Sequence, residues 1–189
     1  MKIILASQSP RRLELMHYLT NQFEVIPSDF PEREIEYLGS PETYCRKLAF
    51  KKAECIAEKY PQDLIIGSDT LVVIGGKILN KPKDRTEARQ MIHRMQGTVH
   101  QVITAFALLS SSQSIKVVDH VSTKVRFASM TDDEIEAYLD QGDYMGKAGA
   151  YAIQGAAAKY VECIEGDYYT VVGLPVARLY KELKNLGLL

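Results

Sequence analysis

The sequence has no long apolar run, no excess charge of either sign and no paired cysteines, and each absence removes a class of protein. Its apolar stretches all fall short of the ~18 residues that a membrane span needs, and Met1-Lys2-Ile3-Ile4-Leu5-Ala6 is too short for a signal peptide. A cytoplasmic protein with no membrane partner is therefore expected. Lys and Arg number 23 against 24 Asp and Glu, a formal net charge of -1. No overall basic field draws such a chain to nucleic acid, so any anion site must come from a few local groups. Cys45, Cys55 and Cys163 are an odd set without CxxC spacing. They argue against a disulfide framework or a structural zinc and read as reduced core thiols. His17, His93, His100 and His120 are scattered without metal-ligand spacing and read as structural or surface residues. The GxxxxGK[ST] phosphate loop, GxGxxG, HExxH and GxSxG are all missing.

What is present is an ordinary globular composition, 46% hydrophobic and 25% charged over 189 residues, enough for one domain spanning 1–189. Lys2 to Ala6 reads as a buried strand. Ser9-Pro10 opens a helix with Ser9 as N-cap, placing Leu13, Met16 and Tyr18 or Leu19 toward the core. Phe23 to Ile26 is a second strand. Ser40-Pro41 opens a helix to about Tyr60, with Leu48, Lys52, Cys55 and Ile56 along one side. Leu64 to Ile74 reads as two apolar strand stretches interrupted by the small polar residues Ser68-Asp69-Thr70, followed by a Gly75-Gly76 hairpin turn and a return through Lys77 to Leu79. Asp84 with Glu87, and Thr131 with Glu134, are capping pairs for two further helices, the first stopped by Gly97. His100 to Leu109 and Ile115 to Ala128 are long strands. Asp143 to Gly155 has no period and reads as a functional loop. Tyr160 to Ile164 and Tyr168 to Val172 are strands, and the final helix sets Val176, Leu179, Tyr180 and Leu183 on one face. This irregular alternation predicts an α/β fold with a mixed, parallel and antiparallel, sheet and flanking helices.

Several constellations carry chemistry. Ser7-Gln8-Ser9-Pro10-Arg11-Arg12 is a strand end, a polar turn and a helix start bearing two arginines. Cations at a helix N-terminus are unfavourable by roughly 0.3–1 kcal/mol each. An anion between them, held by bidentate guanidinium groups, would explain the pair. Otherwise both point into solvent or pair with Glu14. Asp69, between apolar stretches, is costly to bury without a cation, a metal or a hydrogen-bond network. It is suited to binding Mg²⁺ or orienting a water, or else is a structural Asp in a turn or bulge. Gly67 leaves room there for a close backbone or ligand approach. Lys52, four residues from both Leu48 and Ile56, either snorkels or neutralises phosphate; Lys81, held extended by Pro82, offers a second cation. Glu32, in the acidic turn Pro31 to Glu34, is either a metal ligand or part of a solvated charge run. Gln154, at the end of the 147–155 segment, offers one acceptor and two donors to a base edge without choosing between uracil, thymine and cytosine.

Together ASQSPRR at 6–12, LAFKKA at 48–53, GSDT at 67–70, KPKD at 81–84 and GKAGAYAIQG at 146–155 resemble the Maf family along nearly the whole chain. AGAYAIQG resembles the branch acting on dTTP and UTP. Two positions depart from the pattern, Asn80 where Gly or Glu is expected and Ala152 where Gly is usual, and neither removes a functional group. The resemblance implies a two-lobed fold around a central cleft, of the Maf and inosine-triphosphatase-like kind. It also implies a homodimer and a Mg²⁺- or Mn²⁺-dependent pyrophosphatase. It further implies Asp69 as the catalytic carboxylate, Arg12, Thr70 and Gln154 tuning substrate choice, and Ser7, Arg11, Glu32, Lys52 and Lys81 lining the cleft. On this reading Asp69 and Glu32 hold the divalent ion, and Lys52 and Lys81 act with Asp69 in catalysis. The family name also carries an association with septum formation, so a non-catalytic, nucleotide-sensing regulator of cell division is the alternative.

Overall fold

A computed structural model of the chain describes residues 1–189. Strand β1 (Ile3–Leu5) pairs in parallel with β2 (Glu24–Val25) and with β3 (Leu64–Ile74). Strand β4 (Lys77–Leu79) returns antiparallel on β3 through Gly75 and Gly76, both at positive φ, as a two-residue hairpin turn requires. The remaining strands are β5 (Val99–Ser110), β6 (Ile115–Phe127) and β7 (Val161–Glu165), the last antiparallel to β6. The sheet order is β2-β1-β3-β5-β6-β7, with β4 on β3, so the expected mixed sheet is present. Six helices complete the fold: α1 (Pro10–Met16), α2 (Pro41–Ala57), α3 (Arg85–Met95), α4 (Asp132–Asp140), α5 (Tyr168–Val172) and α6 (Val176–Asn185). None is long and apolar enough to cross a membrane.

The chain forms two compact units. The first comprises Met1–Asp69, Thr104–Val121 and Gly173–Leu189, and the second Thr70–Ile103 and Ser122–Val172. In the first, Ile4, Ala6, Ala53, Ile56, Ala57, Ile65, Ala107 and Leu109 form a core flanked by Ile26, Phe50 and Val118. α2 rests on β3 at Gly67, where an added Cβ would overlap the Ala49 carbonyl and Ala53. The small residue foreseen there admits a helix backbone. In the second unit α3 packs on α4, burying Ala88, Met91, Ile92 and Met95 of one and Ile135, Tyr138 and Leu139 of the other. The Thr131–Glu134 capping box is complete. At α3 only Asp84 caps, while Glu87 accepts instead from the Lys83 N–H.

Several expectations are corrected. Leu64 to Ile74 is one uninterrupted, almost wholly buried strand, because the hydroxyl and carboxylate of Ser68 and Asp69 both find partners inside the fold. Tyr168 to Val172 is a helix rather than a strand. Asp167 Oδ2 accepts from the Thr170 N–H at 2.7 Å and its Oγ1 at 2.6 Å, and this local cap overrides the strand propensity of Tyr-Tyr-Thr-Val-Val. On α1 the buried residues are Leu15 and Met16; Leu13 is exposed, and Tyr18 lies beyond the helix end and is exposed too. On α6 Leu179 and Leu183 are buried but Tyr180 faces solvent. Among the free thiols only Cys45 is in the core, Cys55 being half-buried and Cys163 exposed on the edge strand β7.

Candidate active site

The first unit gathers six of the predicted residues. Just past β1, the Ala6 N–H still donates to the Ile66 carbonyl, holding the following turn beside β3. Buried Ser7 organises that turn: its Oγ accepts from the Ser9 N–H at 3.2 Å and from Arg12 Nη1 at 3.5 Å. Ser9 occupies the N-cap position of α1 without a side-chain cap bond, so the capping expected of it is not made. Arg12 Nε donates to the Gly173 carbonyl at 2.8 Å, which anchors the guanidinium to backbone rather than leaving it in solvent or on Glu14. The same carbonyl is a second acceptor for Ser68 Oγ, which donates chiefly to the Ala105 carbonyl. Burial pulls the Arg12 guanidinium below its usual range, opposed first by the Asp69 carboxylate, and the Arg11 charge adds to the lowering. Arg12 nevertheless stays protonated, so its cation faces the carboxylates of Asp69 and Glu32.

Asp69 meets its counter-charge across α2. Lys52 Nζ lies 2.5 Å from Asp69 Oδ1 and 2.7 Å from Glu32 Oε1. The Lys52 and Asp69 side chains are 13% and 9% exposed while Glu32 is 46% exposed, so one ammonium spans a buried carboxylate and a wet one. Lys52 thus neither snorkels nor stands free. The close approach at Gly67 brings its helix within reach of β3. Cys45, buried on the same helix, donates Sγ to the Asp69 backbone carbonyl at 3.4 Å. Burial, and then Asp69, push its thiol well above the ordinary range, which keeps it a neutral donor. Tyr44 belongs to the same surroundings: burial raises its phenol, with Asp69 and Glu32 adding to the effect. Sequence reasoning missed Tyr44, Cys45 and Gly173. A signal existed only for Cys45, which precedes Leu48 and Lys52 by three and seven residues and so shares their helix face.

No three His, Cys, Asp or Glu side chains cluster as a metal cage. The donor chemistry still fits a hard divalent cation. Mg²⁺ is typically held by one or two carboxylates, waters and substrate phosphates, and Asp69 and Glu32 present two carboxylates to one point, where Lys52 supplies the positive charge.

Thr70, Lys81 and Gln154 belong to the second unit. Thr70 follows Asp69 directly in β3 and is half-buried. Lys81 is exposed between Asn80, whose carbonyl accepts from the Gly149 N–H at 3.2 Å, and buried Pro82. Gln154 is exposed at the end of a tightly built loop. The expected loop from Asp143 to Gly155 contains a 3-10 turn at Ala148–Ala150. Asp143 latches it by pairing with Lys147 at 2.6 Å and accepting from the Ala156 N–H at 3.2 Å. Gly155 leaves room for that carboxylate, since a Cβ there would overlap it and displace the latch. Tyr138 donates its hydroxyl to the Ala150 carbonyl at 2.9 Å.

Comparison with known proteins agrees with these motifs. The profile of the family described as Maf-like protein matches residues 2–186. A dTTP/UTP pyrophosphatase of Clostridium novyi (strain NT) is 43% identical over 188 residues, covering 99% of this chain and 98% of its own. Another, of Thermoanaerobacter sp. (strain X514), is 47% identical over 186 residues, covering 98% and 96%. Among solved structures, the Staphylococcus aureus Ham1 protein superposes with a TM-score of 0.56 at 13% identity, covering 98% of this chain and all of its own. A HAM1 protein from Coxiella burnetii gives 0.54 at 16% identity over 98% and 99%. At such identities the two structures speak for the fold alone. The chain belongs to the family of Maf-like proteins.

Proposed function

We propose that this chain is a nucleoside triphosphate pyrophosphatase that hydrolyses dTTP and UTP to the monophosphate and pyrophosphate. The observation that carries the reading is the Lys52 ammonium held between Glu32 and Asp69, in the unit that also contains Arg11 and Arg12. The activity named for the relatives supports the substrate class.

In the reaction a water oxygen attacks the α-phosphorus, and the bond from that phosphorus to the bridging oxygen breaks. Pyrophosphate leaves with the electron pair, and the water proton passes to Asp69, which also orients the attack. Arg11, Arg12 and Lys52 neutralise the triphosphate, with Lys81 in the same role. Because phosphoryl transfer asks little covalent work of a protein, such placed charges supply most of the catalysis. Ser7 keeps the Arg12 turn in place. Thr70 and Gln154 contact the pyrimidine. A Mg²⁺ or Mn²⁺ ion bound by Asp69 and Glu32 would screen phosphate charge and polarise the phosphoryl group. A cytoplasmic homodimer acting through residues 1–189 as one domain completes the proposal.

The test is pyrophosphate release from a panel of canonical and modified nucleoside triphosphates, for wild type and Asp69→Asn. Release concentrated on dTTP and UTP, and about a thousandfold slower in the variant, is expected. Near-normal turnover by Asp69→Asn would remove the carboxylate from the mechanism.

A further inference from the structure

Two features behind the loop that ends at Gln154 are not what plain core packing requires. Ala150 is fully buried, yet its backbone is left-handed at φ 61, a conformation that residues with a Cβ rarely hold. Gly149 before it is also left-handed, at φ 66, and approaches Val72 so closely that no Cβ would fit. Such a conformation persists only where the surroundings over-determine it, and here they do. The Gly149 N–H donates to Asn80, the Ala150 N–H to Lys147, and the Ala150 carbonyl accepts from the Tyr138 hydroxyl.

The second feature is a polar pair inside an aromatic box. His100 is 2% exposed, and its Nε2 shares a 2.7 Å hydrogen bond with the hydroxyl of buried Tyr151. Its ring stands edge-on to Phe127 at 5.0 Å and to Tyr151 at 5.3 Å, and Phe127 and Tyr151 meet at 4.9 Å. His100 Nδ1 is buried without a partner. Burial lowers the imidazole to about 4, so the pair is neutral at physiological pH, and raises the Tyr151 phenol. An all-apolar cluster would avoid desolvating three polar atoms, one of them unsatisfied. What the polar pair adds is direction, fixing where residue 151 points. Consecutive residues, 150 and 151, are thus each held by a side-chain hydrogen bond, from α4 and from β5, and buried Ile153 anchors the chain just before Gln154.

We propose that Tyr138, Tyr151 and His100 are positioning residues for the Gln154 amide, setting discrimination between pyrimidine bases rather than the rate of bond breaking. The inference rests on the reading above, in which Gln154 contacts the base. A recognition amide discriminates only when it cannot turn to suit the wrong base.

The test uses Tyr138→Phe and Tyr151→Phe, each removing one oxygen and keeping the ring. Thr123→Val serves as control; buried Thr123 Oγ1 donates to the Asp167 carbonyl and accepts from the Asp167 N–H in the same unit, at 3.0 Å each. For each protein the thermal midpoint is measured, together with kcat and KM for UTP, dTTP and CTP. Both tyrosine variants are expected to raise KM for UTP and dTTP about tenfold with kcat within about twofold, and to narrow the UTP-to-CTP ratio of kcat/KM about fivefold. The control is expected to lose comparable thermal stability and to leave both readouts unmoved. Tyrosine variants that destabilise like the control while keeping the UTP-to-CTP ratio would overturn the proposal, as would a wild type that does not discriminate. Should one variant fail to fold, the other reads the same ratio. A folded wild type that releases no pyrophosphate would sink the parent reading, and this inference with it, before any variant is compared.

Discussion

The ion-pair cluster of the first unit and the Gln154 loop of the second are held by different means. In the first, Arg12, Lys52, Glu32 and Asp69 are charged and held through one another and through backbone carbonyls. In the second, one ion pair, Asp143–Lys147, latches the start of the loop, but the backbone nearest Gln154 is held by neutral hydrogen bonds, an aromatic box and left-handed turns. On the proposed function, the difference follows from what each set would do. Charges that neutralise a triphosphate have to exchange partners when the substrate arrives, so ion pairs of similar strength to the incoming ones suit them. An amide that reads a base gains by being unable to move, and neutral packed contacts supply that stiffness.

The sharpest way to break this comparison is to separate function from stability within the first set. On the proposed mechanism Asp69→Asn removes the proton acceptor but leaves Lys52 paired with Glu32, so turnover is expected to fall about a thousandfold with only a modest change in stability. Lys52→Met leaves the buried Asp69 carboxylate without its hydrogen-bonded cation, with only the Arg12 guanidinium still nearby. Uncompensated buried charge costs on the order of 3 kcal/mol, so this variant is expected to lose both activity and stability. Urea unfolding of the two variants beside wild type checks the ordering. An Asp69→Asn protein less stable than Lys52→Met would show that the pair is not held together by its charges.

The second set has its own weak point, which is acid. His100 is lowered from 6.5 to about 4 by burial, so between those values the unfolded chain binds a proton that the folded chain refuses. The unfolded state then holds more protons, and stability falls as pH falls. The loss begins near pH 6.5 and is complete below about pH 4, amounting to about 3 kcal/mol. In His100→Gln that contribution is absent. The gap between wild type and variant, measured by urea unfolding at pH 7.5 and again near pH 4.5, is expected to shrink by about 2 kcal/mol. Parallel pH dependence in the two proteins would mean that the imidazole does not stay neutral in the fold.

How much of this was legible in the sequence differs between the units for the same physical reason. Asp69 stood out because a carboxylate inside an apolar stretch demands a partner, and Lys52 stood out because it interrupts a helical stripe. Pairing the two needed the fold, since the closeness of α2 to β3 depends on the missing Cβ of Gly67. Arg12 was found as a cation, but its acceptor is the Gly173 carbonyl, and a backbone atom 161 residues away has no sequence signature. The mixed sheet and most helix starts followed from periodicity and caps. α5 did not, because β-branched and aromatic residues there favour a strand until the Asp167 cap is seen to make the local decision. The Tyr138–Ala150 bond joins residues only 12 apart and was still invisible, since it answers a left-handed alanine that composition cannot reveal.

The smallest expected effect sharpens the comparison by showing what charge alone contributes. Arg85 and Arg89 of α3 form four ion pairs with Asp132, Glu136 and Asp140 of α4, at 2.6–3.1 Å, little longer than the 2.5 and 2.7 Å of the Lys52 pairs. Their side chains are 40–72% exposed, so water and salt screen them. Exposed pairs contribute roughly 0–1 kcal/mol. Arg89→Gln breaks its contacts to Asp132 and Glu136 but is expected to lower stability far less than Lys52→Met does and to leave pyrophosphate release unchanged. About 0.5 M salt should erase even that difference, because the Debye length then falls well below 10 Å. Unfolding curves of wild type and Arg89→Gln at low and high salt decide the point. A loss as large as that of Lys52→Met would mean that ion-pair distance, rather than exclusion of water, sets the strength of these charges.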